Sequence, residues 1–326
     1  MTDTVRLMTH SFSTRVVLFG AVVCLASASS VLAKHGVEIT PSDDALMITI
    51  NGEVFSRYHY QNVSRPFLYP VLGPGGAAVT RDWPMHKGIY DQEDHPHHRS
   101  LWYAHGDING VDFWSESDKA GTTVHDEFIE VKGGQEYGVI KSRNKLVDKE
   151  GKVIATDVRT IRIYASEPNR IMDYEVTTYA SEGDLVFGDT KEGSMAIRLA
   201  PTMRLKGEVG AGHIVNSEGV KDGDTWGKRA KWCDYYGPVD GKTVGVAIFD
   251  APRNPRHPTW WHVRDYGLFA ANPFGQHDFE KKEKGVGDLT VKAGDSVTFR
   301  YRFYFHEGTT EEAGIEALYQ EYADGK

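Results

Sequence analysis

The chain has 326 residues, 46 acidic against 37 basic side chains and a formal net charge of −9. This acidic balance disfavours nucleic acid or an anionic membrane surface as partner, because both reward a basic face; it is compatible with a small neutral ligand such as a carbohydrate. After residue 33 the only cysteine is Cys233, so no intramolecular disulfide is possible and the fold must stand on its core.

The first 33 residues read as a secretory signal peptide. Arg6 and Arg15 precede the apolar run Val16–Ala26, and Val31-Leu32-Ala33 offers a cleavage site. The run is shorter than the roughly 20 residues a spanning helix needs. Removing it takes away Arg6, Arg15 and Asp3, leaving 35 basic against 45 acidic side chains, net −10. No later run is apolar enough to cross a membrane. The expected product is a periplasmic or secreted protein with a single domain over residues 34–326, free of the membrane once the signal is cleaved.

From Gly36 onward the pattern is mostly period two. Residues 37–40, 45–50 and 53–60 read as strands, and Asn51-Gly52 between the last two is a strong hairpin signal. Residues 65–72 are bracketed by Pro66 and Pro70 and read as an extended edge segment. Residues 79–99 lack periodicity and form a long loop that enters a strand near Leu101. Strand patterns return at 127–131, 158–164, 171–179, 243–249 and 296–305. The chain closes with one helix, announced by the capping box Thr309 to Glu312 and an apolar stripe of Ala313, Ile315, Ala317, Leu318 and Tyr319. The fold class is all-β, a sandwich or barrel of many antiparallel strands with a C-terminal helix.

The densest chemistry is in residues 93–107, which hold four of the fourteen histidines. Asp94, His95, His97, His98 and His105 are candidates for acid/base work, since one histidine held by a carboxylate suffices for proton transfer. They are also candidates for a divalent metal ion, with His95, His97 and His105 as the alternative ligand set, or for a hydrogen-bonded loop without chemistry. In an extended chain His95 and His97 share a face and His98 takes the other, so one of the pair His97 and His98 would meet a ligand. The other, with Arg99, would hold the loop.

Two further stretches add to this. Asp189-Thr190-Lys191-Glu192 is a charged turn before a strand with Met195, Ile197 and Leu199 on one face; it is either a place for a catalytic carboxylate or a solvated turn. In residues 257–276, Trp260, His262 and Arg264 share a face by alternation, as a sugar ring would want an aromatic plane beside charged hydrogen-bond partners. A buried tryptophan with a satisfied histidine gives the same pattern. No phosphate loop, dinucleotide fingerprint, nucleophile elbow or zincin helix is present.

The motifs Val79-Thr80-Arg81-Asp82-Trp83-Pro84-Met85, Asp94-His95-Pro96-His97-His98-Arg99-Ser100-Leu101-Trp102 and Gly106-Asp107-Ile108-Asn109-Gly110-Val111-Asp112-Phe113-Trp114 resemble a family of secreted bacterial proteins described as methane oxygenase PmoA-like. Asp189–Gly193, Trp226–Ala230, Asp250–Asn254 and Trp261–Gly267 extend the resemblance over nearly the whole mature chain. Membrane methane monooxygenase activity is not implied, because that enzyme's subunit needs several spanning helices. The layout looks like the large antiparallel supersandwich of galactose mutarotase-like proteins, a fold that hosts sugar epimerases, lyases and hydrolases; the fold alone does not fix which.

The expectation is therefore a carbohydrate-active protein without cofactor. His97 or His98 would transfer the proton, Glu192 would be its carboxylate partner, and Arg99, His262 and Arg264 would orient substrate, with His262 also counted among the catalytic groups. Trp260 or Trp102 would be the stacking platform, and Asp94, His105 and Asn272 complete the binding set. A histidine metalloenzyme and a non-catalytic glycan-binding module are the alternatives.

Overall fold

Alternating polar and apolar side chains become antiparallel strands in the computed structural model, which describes residues 1, 2 and 35–325. The expected signal peptide falls outside these residues apart from Met1 and Thr2. The first strands are β1 (Val37–Ser42), β2 (Ala45–Ile50), β3 (Glu53–His59), β4 (Phe67–Val71) and β5 (Leu101–His105). Then come β6 (Thr122–Lys132), β7 (Tyr137–Val147), β8 (Val153–Tyr164), β9 (Arg170–Tyr179), β10 (Leu185–Phe187), β11 (Gly193–Arg198) and β12 (His213–Asn216). The last are β13 (Arg229–Ala230), β14 (Trp232–Val239), β15 (Lys242–Asp250), β16 (Thr259–Val263), β17 (Leu268–Asn272), β18 (Leu289–Val291) and β19 (Ser296–Glu307). Two α-helices, α1 (Gln276–Glu280) and α2 (Ile315–Ala323), and three short 3-10 helices complete the described elements.

The strands form a nine-stranded sheet, β1-β2-β3-β4-β5-β11-β17-β16-β13, an eight-stranded sheet, β12-β14-β15-β19-β9-β8-β7-β6, and the separate pair β10-β18. The fold is all-β, with large antiparallel sheets and a C-terminal helix, as the strand pattern implied. One face of each large sheet packs into a common core: Met195 and Ile197 of β11 meet it from one side, Ile161 and Ile163 of β8 and Phe303 and Phe305 of β19 from the other. Burying each such side chain fully is worth roughly 1.5–3 kcal/mol.

Alternation along β11 sends Ala196 the opposite way. It joins Trp102, Ala104, Leu268 and Ala270 in a second apolar cluster on the outer face of the nine-stranded sheet. Trp114 and Met85, from loops, cover that cluster. The candidate site is built on this covered outer face.

The Asn51-Gly52 hairpin forms as read, with φ of 52° and 85° at the two turn residues, as a type I′ turn requires. Residues 65–72 depart from expectation. They supply β4, an interior strand between β3 and β5, rather than an edge. Pro70 is tolerated there because the ladder avoids it. β5 pairs only with Phe67 and Leu68, and the pairing with β3 shifts register between Ser56 and Tyr58.

The capping box also forms, with Thr309 N–H donating to Glu312 Oε2 at 2.8 Å and Glu312 N–H to Thr309 Oγ1 at 3.3 Å. Regular α-helix begins only at Ile315, and Ala317 is exposed. Ile315 and Tyr319 carry the docking, against Trp232, Ala247, Phe249 and Tyr304.

Candidate functional site

His95, His97 and His98 come from the loop before β5. The loop is not extended there. His95 has φ 40°, and His98 N–H donates to His95 O at 2.9 Å, which closes a turn. The alternation expected of a strand is therefore lost, and all three histidines line one cleft of about 540 Å³. Glu192, at the entry to β11, and His262 and Arg264, at the end of β16, line the same cleft. Six residues singled out from three separate stretches thus converge.

Their settings differ. Asp94 lies between Arg81 (Nη1 to Oδ1, 2.5 Å) and Arg198 (Nη2 to Oδ1, 3.0 Å). Its Oδ2 lies 3.0 Å from His95 Nδ1. Burial raises the Asp94 pKa, but the His95 hydrogen bond, Arg198 and Arg81 outweigh it and hold the carboxyl well below the usual range. An ionised carboxylate accepts only, so the His95 proton sits on Nδ1 when the ring is neutral, and Nε2 keeps its lone pair. The His95 ring is stacked between Tyr266 (centroids 5.3 Å apart) and His98 (4.7 Å), and its side chain is 42 % exposed.

His98 is the reverse case. Its Nδ1 accepts from Arg198 Nη1 at 2.8 Å. A guanidinium only donates, so the His98 proton belongs on Nε2. Burial, then Arg198 and the neighbouring histidines, push its pKa far below normal. His98 is thus a fixed neutral hydrogen-bond donor rather than a proton carrier. His97 is pushed down to about 4 by burial, Arg65 and His95. His262 is pushed down to about 3 by burial, Arg264 and Lys191, and its buried Nδ1 has no hydrogen-bond partner. Of the three loop histidines expected at the site, His95 is the one with a carboxylate oxygen, Asp94 Oδ2, at 3.0 Å from a ring nitrogen.

Other expected site residues support the cleft or lie apart from it. Asp94 is occupied in holding His95. Arg99 grips Glu116 through Nε and Nη2 at 2.7 and 2.8 Å and packs over Phe67, so it anchors the loop. Trp102 is fully buried and offers its face to His98 at 5.3 Å, not to a ligand. Trp260 is covered by Arg229, with its indole N–H on Glu280 Oε1 at 2.8 Å. Asn272 is buried, donates to Thr190 O and accepts from the backbone of Phe274 and Gly275. His105 is buried with Nε2 2.8 Å from Gly188 O and does not line the cleft, so the set His95, His97 and His105 does not converge. Among the described residues no group of three or more His, Cys, Asp or Glu is arranged to hold a metal ion.

The sequence reading passed over Arg198, Tyr266, Trp114 and Asp112. Tyr266 continues the alternation 260, 262, 264 by one more step, a signal that was present. Trp114 and Asp112 sit inside the third motif, but only the fold shows that they line the cleft. Gly106 is required by proximity: its N–H donates to Glu192 O at 2.7 Å, and a Cβ there would lie 2.7 Å from the Glu192 Cβ. That contact sets the Glu192 backbone against the end of β5.

A family model matches residues 45–320, a span that contains every cleft residue. The chain belongs to a family of unknown function, DUF6807. This description names no activity and does not carry the methane-oxygenase label. None of the curated proteins matches the sequence. Among solved structures, an α-galactosidase from Lactobacillus brevis is similar at 9 % identity and TM-score 0.39; the match covers 85 % of this chain but 40 % of that one. A galactose 1-epimerase from Lactobacillus acidophilus is similar at 8 % identity and TM-score 0.40, over 85 % of this chain and 100 % of that one. A galactose mutarotase related enzyme from the same organism is similar at 9 % identity and TM-score 0.28, over 83 % and 97 %. At these TM-scores the likenesses assign neither substrate nor reaction to this member of the DUF6807 family.

Proposed function

We propose that this is an exported protein whose cleft binds a sugar or glycoside and performs acid/base chemistry on it, with His95 as the proton-transfer group. The observation that carries this reading is the Asp94–His95 pair at the cleft. Asp94 Oδ2 lies 3.0 Å from Nδ1 and leaves Nε2 free to take a proton, the arrangement in which a carboxylate orients a general base. A binding module has no need of a carboxylate within hydrogen-bond reach of its histidine.

The rest of the cleft suits a polyhydroxylated ring. His98 and His262 are neutral polar groups, Tyr266 and Trp114 supply apolar surface, and Glu192 offers a second carboxyl beside Lys191 Nζ at 2.8 Å. His95 and Glu192 stand on different segments that line the same cleft, so a ring seated there meets the proton acceptor and a second carboxylate together. Methane oxidation by a membrane subunit is not part of this reading; no helix among the described residues is long and apolar enough to cross a membrane.

The test is a product screen of wild type, His95→Gln and His97→Gln over aldoses, glycosides and oligosaccharides. Wild type is expected to turn over at least one of them. His95→Gln should lower kcat by about 10²–10⁴-fold, the usual weight of a general acid or base, with ligand binding kept. His97→Gln should cost far less. Full turnover by His95→Gln would sink the proposal, and sugar binding without turnover in wild type would establish the glycan-binding module instead.

A further inference from the structure

Arg264 follows the end of β16 by one residue and stands where two hollows meet. It lines the histidine cleft and also a hollow of about 600 Å³ bounded by Leu205, Lys206, His213, Asp222 and Trp226. Its guanidinium carbon lies 5.8 Å from the centre of the Trp226 ring and 5.5 Å from that of Tyr266.

The neighbouring charges are already matched. Lys191 pairs with Glu192 at 2.8 Å, Lys206 with Asp265 at 2.7 Å, and Arg81 and Arg198 share Asp94. Asp112 is used by its own turn, accepting from Trp114 N–H, Ser115 N–H and Ser115 Oγ. Among the described residues Arg264 has no carboxylate at ion-pair distance and its guanidinium donates no hydrogen bond. A guanidinium carries five donors. Partly buried beside two aromatic rings, with donors that no protein acceptor takes, it is placed to pair with an incoming anion. His262, two residues earlier on the same face, adds a buried Nδ1 that is also unpartnered.

We propose that the ligand of this cleft carries a carboxylate that docks on Arg264, so that its substrates are acidic sugars of the uronate type, extending past Arg264 over Trp226 into the second hollow. This rests on the carbohydrate reading above and narrows it. The planar fork of arginine fits a carboxylate through two parallel hydrogen bonds. The net charge of −10 on residues 34–326 opposes an anion at long range. That opposition is screened beyond about 8 Å at physiological salt, whereas the arginine acts at contact. The substrate's neutral hydroxyls remain for His98, His262 and Glu192.

Calorimetry on the mature chain tests this with uronate monosaccharides and disaccharides, each beside its carboxyl-reduced neutral counterpart and a sulfated counterpart. At least one uronate is expected to bind about 10-fold or more tighter than its neutral partner, the usual worth of a charge-assisted hydrogen bond. Arg264→Gln should erase that preference, bringing the uronate's affinity down to that of its neutral partner, and Arg264→Lys should keep part of it. Trp226→Ala should weaken disaccharides and spare monosaccharides. Melting temperatures of the variants check that they fold, and Arg264→Lys serves if Arg264→Gln does not. Equal binding of the neutral partner, a preference for the sulfated sugar, or a uronate preference that survives Arg264→Gln would each overturn the proposal. Indifference of disaccharides to Trp226→Ala would remove the second hollow from it. Binding of neutral sugars alone would defeat this inference and leave the carbohydrate reading standing, whereas binding of no saccharide would defeat both.

Discussion

His98 and His306 are both almost completely buried, and both stack on an aromatic ring, Trp102 at 5.3 Å and Tyr304 at 6.1 Å. They end in opposite states. His98 faces Arg198 and is pushed far below the ordinary histidine range. His306, on β19 beneath the start of the C-terminal helix segment, lies 3.0 Å from Asp234 Oδ1; burial lowers its pKa, but Asp234 overcomes that and raises it. Burial alone would leave both rings neutral. The partner across the hydrogen bond decides which histidine is shifted toward the cation and which toward the neutral donor. The cleft shows the same difference in partners: His98 faces Arg198, whereas His95 lies 3.0 Å from Asp94 Oδ2.

The structural side of this comparison breaks most easily at Asp234, which also accepts from Thr310 Oγ1 at 2.6 Å. Asp234→Ala strands a buried histidine and a hydroxyl and should cost about 3–5 kcal/mol in denaturant unfolding, with activity per folded molecule unchanged. The effect has a pH signature. Because the folded pKa of His306 is raised, the pair's stabilisation is fully present below the unfolded value of about 6.5 and is lost as pH rises through the folded value. The gap between wild type and Asp234→Ala should therefore narrow on the alkaline side. His262 carries the opposite sign. Its folded pKa is depressed to about 3, so its contribution is present above the unfolded value and is lost as pH falls toward the folded one.

A smaller effect sharpens the boundary of the cleft. Trp260→Phe removes the indole N–H that donates to Glu280 at 2.8 Å and should cost about 1 kcal/mol of stability. It should leave sugar affinity unchanged, since that ring is covered by Arg229. A loss of binding with stability intact would return Trp260 to the site.

The contrast between these histidines also explains what the sequence disclosed. Strand alternation and the Asn51-Gly52 turn reveal the sandwich, because both act over a few residues. His262, Arg264 and Glu192 were legible as cleft residues because each sits at a strand end with its face set by alternation. Asp94 and His95 are adjacent in sequence, yet the turn at His95, with φ 40°, hid which ring the carboxylate would hold. The partners that settle the protonation states were out of reach, since Arg198 is 100 residues from His98 and Asp234 is 72 from His306. Trp102 and Trp260 were misread for a related reason. Alternation gives the face a ring lies on, but not that Trp114 and Met85, or Arg229, will cover it.

The measurement that bears most directly on the account is a ¹⁵N NMR titration of histidine-labelled protein from pH 5 to 8. His98 should hold the Nε2–H tautomer with an unprotonated Nδ1 throughout, and His97 and His262 should stay neutral down to pH 5, while His306 titrates above the ordinary histidine value. If His98 gained a proton near pH 6.5, Arg198 would not fix its state, and the assignment of proton transfer to His95 over its neighbours would be contradicted.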